Sequence, residues 1–345
     1  MTADRFHEIT ARYPWLRLAI VGDFCLDRYF DIDPERQEIS IETNLPVHNV
    51  VGTRCQPGAA GTILNNLVAL GSGTVWPVGF AGDDAEGWEL GRALRSKAGV
   101  DLGQFVTTPE RKTFTYTKPL LHRPGQPLEE LSRLDQKNWT ATPVGVSEAI
   151  IRAVKTVASQ ADALIVMDQV DLAGTGVVTE SVLNALGEVA VARPELPIIA
   201  DSRRGLGGFP PVIFKMNAVE LAALAGLSPT AALDEIQQRA GALARKNGRP
   251  VFITLSERGI VGAAPDGEVW HRPCLPIRGP IDIVGAGDSV TANLTAALAA
   301  GATIPEAMEL AMAGANVVIH QLGTTGTASV AQIGELLFGA GSAAL

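Results

Sequence analysis

The sequence predicts an α/β protein, a three-layer α/β/α sandwich around a mostly parallel sheet, carrying a small antiparallel β lid. Two observations predict it. Short β-type runs alternate with longer stretches of helical periodicity, which is the pattern of βαβ units. Two segments, 29–55 and 111–135, break that alternation with short polar–apolar repeats such as Thr113-Phe114-Thr115-Tyr116-Thr117, set between Pro, Gly and Asn.

The strands are expected at 18–22, 74–78, 163–167, 198–201, 212–216 and 251–255, each a compact apolar run. Between them, residues 147–159 place Ile150, Ile151, Val154 and Val157 on one stripe, and 236–246 reads similarly, so both are helices covering the sheet. Thr303-Ile304-Pro305-Glu306 is a helix start: a Thr cap, Pro in the first turn and Glu at the third position satisfy amides that have no intrahelical partner. A helix over 305–319 should follow. Asp23, Asp168 and Asp201 each follow an apolar run, where carboxyl ends of parallel strands open onto the ligand crevice, so several acids are expected to face one cleft. No repeat or linker divides the chain. It reads as one domain over 1–345, with 29–55 and 111–135 as lid and a frayed tail over 339–344.

With 345 residues, 46% of them hydrophobic and 19% charged, the chain can bury a large core. A net charge of −9 argues against a surface for nucleic acid, which needs clustered Lys and Arg. Cys25, Cys55 and Cys274 are odd in number and lack C-x-x-C spacing, which disfavours a disulfide framework or zinc site and fits a reducing cytoplasm. The polar start lacks the flanks of a signal peptide, and no apolar run reaches the roughly 20 residues of a membrane span. Neither a G-x-x-x-x-G-K-[ST] loop nor a G-x-G-x-x-G after a strand is present, nor H-E-x-x-H or G-x-S-x-G.

The sharpest chemical feature is Asp282-Ile283-Val284-Gly285-Ala286-Gly287-Asp288, leading into a helix-compatible run over 289–300. Gly285, Ala286 and Gly287 let backbone approach a ligand closely, and amides at a helix N-terminus favour an anion. An aspartate ending such a loop can take a hydroxyl proton while the amides hold charge growing on a phosphate. The alternative is a tight turn that Asp288 merely caps.

This stretch resembles the D-T-x-G-A-G-D signature of the ribokinase (PfkB) family, and stands near the C-terminus, where that family carries it. Further likeness runs in family order from about residue 18 to 334. Val21 to Tyr29 is similar to the opening strand and turn of the heptose-phosphate kinase half of bifunctional ADP-heptose synthases, and Ile39 to Val47 continues it. Pro57-Gly58-Ala59-Ala60-Gly61-Thr62, with Asn66, resembles the glycine-rich signature beside the sugar; Arg133-Leu134-Asp135 matches the end of the second lid segment. Asn217-Ala218-Val219-Glu220 resembles the family's N-x-x-E motif, and Thr254-Leu255-Ser256-Glu257-Arg258-Gly259 the turn lining the nucleotide pocket.

The resemblance implies a ribokinase-like sandwich that phosphorylates a sugar or sugar phosphate with ATP and Mg2+. Asp288 would be the base, with Gly285, Ala286 and Gly287 as anion hole. Asp27, Gly58, Ala59 and Asn66 would meet the substrate, and Asn217, Glu220, Thr254, Ser256 and Gly259 the nucleotide. Glu220 and Asp282 would serve metals, the latter a monovalent cation such as K+. The lid would join a homodimer, its strand edges being open to pairing. Ala59, Thr62, Ile283 and Met312 depart from the family pattern, as does the 168–174 segment. Two other readings therefore stand beside the sugar kinase: a kinase for a nucleoside or other small alcohol, and a catalytically silent sugar- or nucleotide-binding relative.

Overall fold

Continuous apolar runs give strands buried on both faces. In the computed structural model, which describes residues 1–339 except 124, 127, 229 and 324, the six expected runs join two further strands, Ile260–Ala263 and Val269–Arg272, in one eight-stranded sheet. The expected fraying over 339–344 lies almost wholly outside the described residues. From one edge to the other the strands are Val269–Arg272, Ile260–Ala263, Val251–Thr254, Ile213–Asn217, Ile198–Ser202, Ala163–Asp168, Arg17–Gly22 and Thr74–Val78. All neighbours from Val251–Thr254 to Thr74–Val78 are parallel; the first two strands close that edge antiparallel.

Alternation along a strand builds two cores. Leu18 and Ile20 join one cluster with Ile63, Leu67, Val290 and Leu310; Ala19 and Val21 join the other with Ile150, Val154, Leu186 and Ile236. Helices Ala60–Ala69, Ala286–Ala299 and Ile304–Ile319 therefore cover one face, and Val144–Ala158, Glu180–Ala192 and Leu233–Asn247 the other. The expected Thr303 start is a capping box, with Glu306 Oε2 accepting the Thr303 amide at 2.8 Å.

The two excursions meet in a second, five-stranded sheet of Phe24–Ile32, Val50–Ala59, Thr115–Leu121, Glu129–Glu130 and Leu134–Gln136. Its pairings are antiparallel but for one: Phe24–Ile32 runs parallel to Thr115–Leu121. The lid strands start nearer the core than the polar segments suggested, because Phe24 and Leu26 are apolar and anchor the sheet in the main core. Buried Arg111 ties the lid's second entry to the body through the carbonyls of Thr140, Ala141 and Thr175. Among the described residues no helix is long and apolar enough to cross a membrane.

Candidate active site

At the crest of the 282–288 loop, Gly285 has φ +82° and caps helix Ala286–Ala299 without a side chain. A Cβ there would lie 2.6 Å from Thr325 Cγ2 and 3.5 Å from Thr62 Cγ2, so both sterics and φ demand glycine. The Ala286 amide donates to the Ile283 carbonyl at 3.2 Å, which removes it from the expected anion hole. Gly285 and Gly287 amides meet no protein acceptor among the described residues. They precede the first bond of the helix, Ser289 to the Gly285 carbonyl, and remain open donors.

Asp288 occupies the third helical position and caps nothing, which sets aside the plain-turn alternative for its side chain. Burial, then the charge of Asp201, push its carboxyl up to about 7 against the pull of Lys215, with Asp27 adding a smaller upward push. Lys215 itself escaped the sequence reading. Its Nζ lies 2.6 Å from Asp201 Oδ2, and a Cβ on Gly287 would be 3.3 Å from it, so a buried ammonium stands under the loop. Burial opposes that charge, yet Asp201, with Asp288 and Glu220 behind it, holds its pKa above the ordinary lysine value. Thr291 Oγ1 donates to the same Asp201 oxygen at 3.1 Å. The signal available in sequence was a lysine inside an apolar strand, two residues before Asn217.

Asn217 and Glu220 form a reciprocal capping box on helix Ala218–Ala225, at 2.7 and 2.9 Å. Burial raises the Glu220 carboxyl. Thr254 is the register partner of Asn217 on the neighbouring strand, and the turn beyond it uses positive φ at Ser256 (+53°) and Gly259 (+90°). A Cβ on Gly259 would meet the Arg272 carbonyl at 2.0 Å. All five residues expected at the nucleotide thus share one end of the sheet.

On the lid side, Asp27 is buried with its carboxyl over Gly58, where a Cβ would come within 2.7 Å of Asp27 Cγ. Burial raises this acid, against Lys118 and Arg133. Ala59 holds φ +52°, a conformation suited to glycine, where the family pattern has glycine. Asn66, expected at the substrate, is instead fully buried inside helix Ala60–Ala69, its Nδ2 donating to the Thr62 carbonyl at 3.0 Å.

The acids expected to crowd one cleft divide by task. Asp23 accepts the amides of Gln169 and Val177, and Asp168 accepts Ser202 Oγ and Arg204, so both fasten loops. Only Asp201 turns to the glycine loop. Asp282 accepts the Val284 amide at 3.0 Å. Among the described residues no three His, Cys, Asp or Glu side chains converge as a metal cage.

A model of the pfkB family carbohydrate kinases matches residues 18–331. The bifunctional protein HldE of Azorhizobium caulinodans is 30% identical over 309 residues, covering 89% of this chain and 61% of that one. HldE of Rhodospirillum rubrum is 32% identical over 325 residues, with 92% and 61% covered. The chain therefore spans about three fifths of the length of these relatives. Among solved structures, Arabidopsis thaliana ribokinase complexed with ribose and ATP superposes with a TM-score of 0.66 at 20% identity, over 94% of this chain and 99% of that one. Escherichia coli phosphofructokinase-2 in complex with potassium gives 0.70 at 18% identity, over 93% and 98%. These share the fold. The glycine loop, its free carboxylate and a family match over most of the chain agree, and the chain belongs to the pfkB family of carbohydrate kinases, phosphotransferases with an alcohol as acceptor.

Proposed function

We propose that this kinase phosphorylates a hydroxyl of a sugar or sugar phosphate, with an acceptor close to heptose 7-phosphate and ATP as donor. The observation that carries this is Asp288: an uncapped carboxylate near neutrality, beside the open amides of Gly285 and Gly287 and above the Lys215 ammonium. A base titrating near working pH both removes a proton and exists in the right state to do so. Asp288 takes the acceptor proton, the two amides and Lys215 hold charge growing on the migrating group, and Asp27 orients the acceptor beneath the lid. Lid closure excludes water, which would otherwise compete as acceptor.

The charges of Asp201, Asp288 and Glu220 all act on the Lys215 ammonium, and Asp201 bonds it at 2.6 Å. Glu220 is the carboxylate that would hold a hard divalent cation there, through water and phosphate oxygens rather than in an all-protein cage. Magnesium, when bound there, screens the triphosphate so that a hydroxyl can approach. The potassium named with the Escherichia coli phosphofructokinase-2 structure favours a monovalent cation, for which the family resemblance offers Asp282.

The HldE relatives favour the heptose phosphate acceptor, and a phosphorylation panel of heptose 7-phosphate, hexoses, pentoses and nucleosides tests it. Phosphorylation of nucleosides alone would overturn the sugar assignment. Binding without product by phosphorus NMR would instead identify a silent relative. The lid hairpin exposes Ile39, Ile41, Leu45, Val47, Val50 and Val51, which supports a homodimer through the lid. The three cysteines are unpaired, in keeping with a reducing cytoplasm.

A further inference from the structure

We propose that Gln56 and Thr325 are positioning residues, through which the acceptor side of the lid sets the geometry of the glycine loop. Gln56 stands directly opposite Asp27 across the lid strands. Its Nε2 donates to Tyr29 OH and to Thr325 Oγ1, each at 3.2 Å. Lys118 Nζ approaches the same Tyr29 hydroxyl at 3.5 Å, so a third lid strand joins the chain. On its other side Thr325 presses its methyl onto Gly285, the residue that caps the Asp288 helix.

Thr325 has firm backing. Gln321 grips Thr327 through both main-chain atoms, at 2.6 Å to the carbonyl and 3.2 Å from the amide. Gly326 lies so close to helix Ile304–Ile319 that a Cβ would come within 2.9 Å of the Val318 carbonyl. Close-packed atoms transmit displacement rather than absorb it. A shift of Gln56 is therefore passed to Gly285, and with it to the amides and to Asp288. An acceptor seated against Asp27 sits beside the first member of this chain, which makes the loop's shape depend on acceptor occupancy.

The proposal rests on the kinase reading, since it assigns the loop the task of holding the transferred group. Three variants separate its links: Gln56→Ala removes the donor, Thr325→Val keeps shape and methyl but removes the hydroxyl, and Thr325→Ser keeps the hydroxyl but removes the methyl. In ligand-free protein each should raise deuterium uptake of the 283–288 segment by about threefold or more through its two bonded amides, Val284 and Ala286, with global unfolding unmoved. With whichever acceptor the panel identifies, kcat should fall about tenfold while the dissociation constant for MgATP holds. The Gln56→Ala, Thr325→Val double variant should match either single, as members of one chain do. Wild-type uptake over 283–288 in all three, or effects that multiply in the double variant, would overturn the coupling. Should Gln56→Ala fail to fold, the isosteric Thr325→Val decides alone. If no acceptor is phosphorylated, the kinase reading fails, and the exchange result still settles whether lid and loop are coupled.

Discussion

Lys215 and Asp201 form a buried ion pair, Nζ to Oδ2 at 2.6 Å, directly beneath Gly287. Removing one partner of such a pair costs more than the pair contributes, because the other charge is left without water or counter-ion. Lys215→Met should lose about 3 kcal/mol of stability by urea titration and at least tenfold in turnover. Wild-type turnover in a folded Lys215→Met protein would remove the ammonium from the transfer step.

Asp288 gives a pH signature with two parts. Its carboxyl is raised from the ordinary aspartate range to about 7, so the folded chain holds a proton that the unfolded chain has released. Stability from this group is therefore present at acid pH and declines as pH rises toward 7. Activity runs the other way, since the base works deprotonated: kcat/KM should climb about tenfold per unit below its pKa and level above it. Asp288→Asn should abolish that limb, lower turnover at least ~10²-fold, and unfold at higher temperature than wild type at pH 8. An unaltered pH–rate profile in the variant would assign the proton to another group.

Ala59 carries a left-handed φ of +52° at the entry to helix Ala60–Ala69. Glycine reaches this region without a Cβ penalty, so Ala59→Gly should stabilise the chain by about 1 kcal/mol despite its looser unfolded state. Thermal unfolding reads this directly; a lower melting temperature would show the strain is offset by packing.

Ile41 is fully exposed, 102% of its free surface, on a lid hairpin with five further apolar neighbours. Ile41→Asp together with Val51→Asp should convert a dimer to a monomer by light scattering at micromolar concentration. A monomeric mass for the wild type would count against association through the lid.

How much of this was legible in sequence depended on the range of the interactions. The Thr303–Glu306 cap and the Gly285 turn are local, so residue type and spacing determined them. The strand over 18–22 was legible as an apolar run, while the split of Leu18 and Ile20 from Ala19 and Val21 into two cores emerged only with the sheet. Lys215 was hidden because its charge is tolerable only beside Asp201, on a neighbouring strand brought close by folding. Asp23 and Asp168 stand at strand ends as expected, but backbone amides and Arg204 from other loops claim them. Asn66 fits a signature in one dimension and is turned inward by helical phase.

The pairing of Leu26 with Thr115 has a consequence for biosynthesis. As the chain is made, the 24–32 and 50–59 strands emerge together and can join as neighbours, but the central strand keeps one bare edge until residues 115–121 arrive from much later in the chain. Closing so long a loop is slow, and an unsealed edge invites foreign strands. The interval between those two events is when a nascent chain is most exposed to misassembly.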